Sequence, residues 1–164
     1  ESPRRGENFV TRKITQYAKK LQQDLQNYYW NIELISNKHY IEPTLDFIKQ
    51  YPKLKLGNLD ASRDWSYVVD TINGAWLSLQ QEYPDDYIFA SGETHTVKEF
   101  LIEAFRLVHV YNWETFVEID NKLFRPKEVP YLRGDSSKAR KLLNWSPTCS
   151  FSKLVKKMID EEKI

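Results

Sequence analysis

Glu1-Ser2-Pro3-Arg4-Arg5-Gly6-Glu7-Asn8-Phe9-Val10-Thr11-Arg12-Lys13-Ile14-Thr15 opens the chain, and its character changes at Phe9. Before that point Pro3, Gly6 and the charges read as a loop, because proline and glycine punctuate regular structure. After it Val10, Ile14, Tyr17, Leu21 and Leu25 return at spacings of three and four, the period of an amphipathic helix. Arg4, Arg5, Arg12, Lys13, Lys19 and Lys20 outweigh Glu1 and Glu7 over this stretch. A basic loop running into a helix start suits an anion, since guanidinium forks and free backbone N–H groups both point at phosphate. A solvated basic face accounts for the same charges, because charged side chains are mostly exposed.

Working outward, Ile32 to Ile35 is β-like and a helix is expected to begin near Pro43. Leu54 to Leu59 reads as a short strand closed by Gly57-Asn58. Val69, Ile72, Trp76 and Leu79 mark a helix behind Arg63-Asp64-Trp65, with Asp64 as its cap. Tyr87 to Ser91 reads as a buried strand stopped by Gly92. Thr96 and Glu99 form a capping box that opens a helix through about Val108. Thr115 to Asp120 alternates like a strand. Ser136 or Asp135 caps a short helix with Ala139, Leu142 and Leu143, and Ser150 caps a last one with Phe151, Leu154, Val155, Met158 and Ile159. Strands interleaved with helices put the chain in the α/β (mixed α and β) class.

The composition bounds the function. The 164 residues suit one domain, or one plus a piece of another. A net charge of +1 gives no field to recruit nucleic acid or an anionic membrane. No stretch approaches the roughly 18–20 apolar residues that a bilayer span needs. The single Cys149 cannot form an intramolecular disulfide, which suits a reducing, cytoplasmic setting. The opening has neither Met nor the apolar core of a signal peptide, so a start further upstream is expected.

Candidate chemistry is confined to cations and carboxylates. Arg63 beside Asp64 and Trp65 is either a structural ion pair or a ligand-binding arginine. Arg125-Pro126-Lys127-Glu128 presents an arginine and a glutamate on a loop stiffened by proline, so little entropy is lost on binding. That pair suits a sugar diphosphate, with the cation for phosphate and the carboxylate for hydroxyls; a loop salt bridge explains it equally well. His39, His95, His109 and Cys149 have no metal-ligand spacing, so no metal is expected. His95, just ahead of the capping box, reads as a surface loop residue. There is no G-x-S-x-G, Walker or G-x-G-x-x-G motif.

The opening block resembles the GDP-mannose 4,6-dehydratase family, which belongs to the extended short-chain dehydrogenase/reductases. Further blocks follow in that family's order: Leu56-Gly57-Asn58-Leu59-Asp60-Ala61 with Arg63-Asp64-Trp65, then Ala90-Ser91-Gly92-Glu93. Phe124-Arg125-Pro126-Lys127-Glu128-Val129, Gly134-Asp135 with Ser137-Lys138-Ala139, and Leu143-Asn144-Trp145-Ser146-Pro147 complete the set. The resemblance covers most of the chain. It departs at residues 17–55, longer than the family's usual connection, and at residues 109–120, which are shorter.

The resemblance implies a C-terminal substrate-binding domain together with the last helix and strand of an NADP-binding Rossmann domain, residues 66–91. It implies that Arg5 reaches the NADP cofactor and that Val10, Lys13, Arg63, Arg125 and Glu128 hold GDP-mannose. The implied reaction takes GDP-mannose to GDP-4-keto-6-deoxymannose and water in a homo-oligomeric, cytoplasmic enzyme. The family's Tyr-x-x-x-Lys pair, its Ser or Thr and its Glu acid/base precede the segment resembled here. No catalytic residue is therefore expected in this chain, and turnover is not expected from it alone. Two alternatives stay open: a non-catalytic remnant or partner-binding subunit, and another nucleotide-sugar epimerase or dehydratase.

Overall fold

The structure, a computed structural model, describes residues 1–30 and 42–162. Helix α1, Val10–Trp30, buries Ile14, Ala18, Leu21 and Leu25 along one stripe, as its period requires. Helix α2, Leu45–Gln50, is capped by Thr44, whose hydroxyl accepts from the Phe47 N–H. Strand β1, Leu54–Leu56, pairs in parallel with β4, Val117–Ile119, while β2, Ser62–Arg63, pairs antiparallel with β3, His95–Thr96. Helices α3, Val68–Ser78, α4, Val97–Leu107, α5, Ser137–Leu143, and α6, Phe151–Asp160, complete the architecture.

The main core lies where α1, α4 and α6 meet, with Phe100, Phe105, Leu154 and Met158 buried among Ile14, Leu21 and Leu25. The capping box forms as expected, with Glu99 N–H on Thr96 Oγ1 at 3.0 Å and Thr96 N–H on Glu99 Oε2 at 2.7 Å. Such a cap is worth about 1 kcal/mol, and here it fixes where β3 turns into α4. An aromatic ladder from Tyr28 through Phe47 and Tyr51 to Phe116 ties α2 to this core. A smaller cluster of Ala139, Leu143 and Trp145 packs with Leu77, Tyr87 and Phe89.

Several local expectations give way. Residues 115–116 belong to a 3₁₀ turn, Trp113–Phe116, and only Val117–Ile119 forms a strand. Tyr87–Ser91 pairs with no strand, and Ile88 is 57% exposed, because the described residues offer it no neighbour to complete a ladder. The β-like stretch Ile32–Ile35 lies outside the described residues. Tyr67, not Asp64, precedes α3. Helix α3 turns Ile72 and Trp76 outward at 62% and 61% exposure, and Leu79, just past its end, is 81% exposed. Its other side meets the 87–90 segment at Gly74, where a Cβ would stand 2.4 Å from the Phe89 ring.

Arg12 is a strut rather than part of an anion site. Its Nε donates to Glu162 Oε1 at 3.0 Å and its Nη2 lies 2.9 Å from the same oxygen, while Thr15 Oγ1 donates to Oε2. Nη1 donates to the carbonyls of Pro3 and Arg5, so one side chain joins α1, the opening loop and the C-terminal turn. The Glu162 side chain is fully buried. Removing one partner of a buried pair strands the other charge at a cost of about 3–5 kcal/mol, whereas replacing both with apolar groups is often neutral. Arg12→Ala is therefore expected to lower the urea unfolding free energy by about that amount. The double variant Arg12→Met/Glu162→Leu is expected to recover most of the loss.

Candidate functional site

A cleft of about 140 Å³ opens between the start of α1, the end of β1 and the 123–128 loop. Val10, Arg63, Arg125 and Glu128 line it together with Gly57, Asn58 and Val97. Gly57 permits the closeness of the walls, since a Cβ there would lie 2.8 Å from the Leu123 carbonyl oxygen. Arg63 is held from three sides. Its Nη1 donates to the carbonyls of Ser62 and Val129, both at 2.8 Å, and its Nη2 donates to Glu128 at 3.0 Å. Arg125 makes no hydrogen bond, ion pair or ring contact among the described residues. The cleft thus joins a pinned guanidinium, an unengaged one and a carboxylate.

Four of the residues singled out from the sequence meet in this cleft, and two do not line it. Lys13 stands one helical turn beyond Val10, with its ammonium unpaired among the described residues. Arg5 stacks over the Phe9 ring at 3.5 Å. Its Nε is 3.4 Å from Glu1 Oε2, within ion-pair range, yet this buried nitrogen makes no hydrogen bond. Asn58 and Val97 were not singled out, although Leu56-Gly57-Asn58 stood in the sequence as a distinctive block.

Asp64 holds the back of the site together. Its Oδ1 accepts from Ser91 N–H at 2.9 Å and Ser91 Oγ at 2.5 Å. Its Oδ2 accepts from Gly92 N–H at 2.9 Å and Gly134 N–H at 3.1 Å. Burial opposes ionisation, but the Ser91 hydroxyl and these backbone donors outweigh it and hold the carboxyl below its usual range. His95, expected on the surface, instead lies in β3 and stacks on Phe151 with centroids 3.8 Å apart. Glu93 and Glu99 stand 3.9 and 3.6 Å from its two ring nitrogens.

Among the described residues, the ionisable groups that line the cleft are Arg63, Arg125 and Glu128. The chain's one Tyr-x-x-x-Lys spacing, Tyr51 to Lys55, runs from the end of α2 through Pro52 into β1. Tyr51 donates to Asp24 at 2.8 Å, and burial followed by that carboxylate pushes its phenol well above the usual value. Lys55 faces Glu118 instead. Among the described residues no group of His, Cys, Asp and Glu could hold a metal, and no helix is long and apolar enough to cross a membrane.

A family model described as GDP-mannose 4,6 dehydratase matches residues 41–158. The chain belongs to the GDP-mannose 4,6 dehydratase family. It is 48% identical over 162 residues to GDP-mannose 4,6 dehydratase 1 of Arabidopsis thaliana, covering 99% of this chain and 38% of that one. GDP-mannose 4,6 dehydratase 2 of the same plant is 47% identical over 162 residues, with 36% of its length covered. Among solved structures, RMD from Pseudomonas aeruginosa complexed with NADPH superposes with a TM-score of 0.70 at 16% identity, over 98% of this chain and 44% of that one. That likeness shows the fold alone, a mixed α and β arrangement. The chain spans well under half the length of these family members.

The Asp64 network sets an acid limit on the site. A carboxyl depressed by folding stabilises fully above its unfolded value of about 3.9, and that stability is lost as pH falls through the folded value. Unfolding midpoints measured between about pH 2 and 6 are expected to drop with acid for the parent chain. Asp64→Asn is expected to be less stable at neutral pH and to show a flatter acid limb.

Proposed function

We propose that these residues form the nucleotide-sugar grip of a GDP-mannose 4,6-dehydratase, which converts GDP-mannose to GDP-4-keto-6-deoxymannose and water. The observation that carries this reading is the unengaged Arg125 guanidinium sharing one cleft with the Arg63–Glu128 pair. Arginine forks match phosphate oxygens in two-point contact, and a nearby carboxylate accepts from sugar hydroxyls. Lys13, one turn from Val10, adds a cation for the pyrophosphate, and Val10 supplies apolar contact at the helix start.

Arg5 suits the cofactor side. Its guanidinium stacks on Phe9 with Nε beside Glu1, and the side chain is 38% exposed, so its terminal nitrogens are available to a phosphate oxygen. NADP supplies the reversible hydride exchange that loss of water from a sugar requires. The residues of this chain position the substrate, which lowers the entropic barrier, but they do not provide the proton transfer that the chemistry also needs. Turnover on this reading belongs to the complete, cytoplasmic, homo-oligomeric enzyme.

Residues 66–91 support the same reading from the other side. The outward apolar face of α3 and the unpaired 87–90 segment suit the edge of the cofactor-binding Rossmann sheet, whose further strands would pair with and cover them.

The test is calorimetric titration of the 164-residue chain with GDP-mannose. Binding without turnover in the presence of NADP is expected. Losing a charged donor costs about 1.5–3 kcal/mol, so Arg125→Ala is expected to weaken binding roughly ten- to a hundredfold. Unchanged affinity in Arg125→Ala would remove that residue from the site, and 4-keto product from this chain alone would overturn the division of labour.

A further inference from the structure

Asp64 and Arg63 are neighbours in extended backbone, so their side chains diverge: Arg63 enters the cleft described above, and Asp64 turns to the loops at Ser91 and Gly134. Those loops line a second basin of about 680 Å³, which shares no lining residue with the Arg63–Arg125 cleft. We propose that this basin is a separate site for a small hydroxylated phosphate ester, a molecule of sugar-phosphate size.

Two arginines carry the inference. Arg133 Nε donates to the Gly92 carbonyl at 2.5 Å, which leaves both of its terminal nitrogens uncommitted. Arg140 is fixed at two points, by Nε to Ser136 Oγ and by Nη2 to the Ser91 carbonyl, each at 3.1 Å, so that Nη1 stays free. Ser136 is 4% exposed, and its hydroxyl proton has no acceptor among the described residues. Anchored guanidiniums lose little freedom on binding and present their remaining N–H groups as a ready fork for phosphate.

The lining also explains why a bare ion is a poor fit. Glu93 and Asp135 balance the two arginines in formal charge, so the basin is not an undirected cationic patch. The Asp135 carboxylate is engaged by Ser137 N–H and Oγ at 2.9 and 2.5 Å and stands below the usual carboxyl range because of them. Glu93, with a side chain 72% exposed, remains an acceptor for ligand hydroxyls. Ligand pockets typically occupy about 300–1,000 Å³, and this volume leaves room for a carbon skeleton beyond the phosphate. The site stands independently of what occupies the Arg63–Arg125 cleft.

The experiment is a titration of the ¹⁵N-labelled chain with glucose 6-phosphate, inorganic phosphate and glucose, each with GDP present in excess. Glucose 6-phosphate is expected to shift the Gly92 and Gly134 amides saturably, inorganic phosphate more weakly, and glucose not at all. Arg133→Gln and Arg140→Lys are each expected to weaken the ester about tenfold or more, the usual loss for a charged hydrogen-bond donor. Arg133 is exposed, so its variant keeps the fold, which the unchanged remainder of the spectrum checks. Arg125→Ala is expected to leave the titration unaltered. The absence of saturable shifts, an equal response to glucose, or loss of the response in Arg125→Ala but not in Arg133→Gln would each overturn the proposal.

Discussion

The carboxylate of Asp64 is the constraint on which the rest of the site hangs. It accepts hydrogen bonds from Ser91, Gly92 and Gly134, and so clamps loops that are far apart in sequence against the end of β2. Antiparallel pairing of Arg63 with His95 aligns the same strand with the start of α4, whose capping box fixes the turn. With the strand held from both directions, alternation alone sends Arg63 one way and Asp64 the other. Charged hydrogen bonds in a partly buried setting are strong enough to make this arrangement specific.

A second clamp works at the start of α1. Arg12 and the buried Glu162 connect the first helix to the C-terminal turn, while Arg12 also holds the carbonyls of the opening loop. Arg5 and Val10 are thereby carried on a loop and helix start that cannot drift independently of the α1, α4 and α6 core. Against this well-packed side stands α3, whose apolar residues point away from the core. The contrast between a finished core and an uncovered helix face agrees with a chain that spans well under half the length of its family members.

How much of this was legible depended on the range of the interactions. The period of Ile14, Leu21 and Leu25, the Thr96–Glu99 box and the Ser150 cap are local, and the structure shows each of them. Asp64 looks like a helix cap in sequence, because an acidic residue a few positions ahead of a helix reads the same whether it binds that helix or loops elsewhere. Sequence leaves Arg12 between an anion site and a solvated basic face, because its actual partner lies 150 residues away. Tyr87–Ser91 carries strand-forming residues, but a strand exists only when another strand accepts its hydrogen bonds.

The sequence by itself determined the mixed α and β class, the helices and their caps, and, through its ordered blocks, the family. It also supplied every charged group that meets in the Arg63–Arg125 cleft. Only the tertiary structure decided which of the chain's cations are engaged, and by what. Arg12 is sealed against Glu162, Arg5 lies on Phe9, Arg63 is braced by Glu128, and Arg125 is left open among the described residues. The physical reason is that a cation's availability is set by the acceptors around it in space, and neither its identity nor its neighbours along the chain reveal those acceptors.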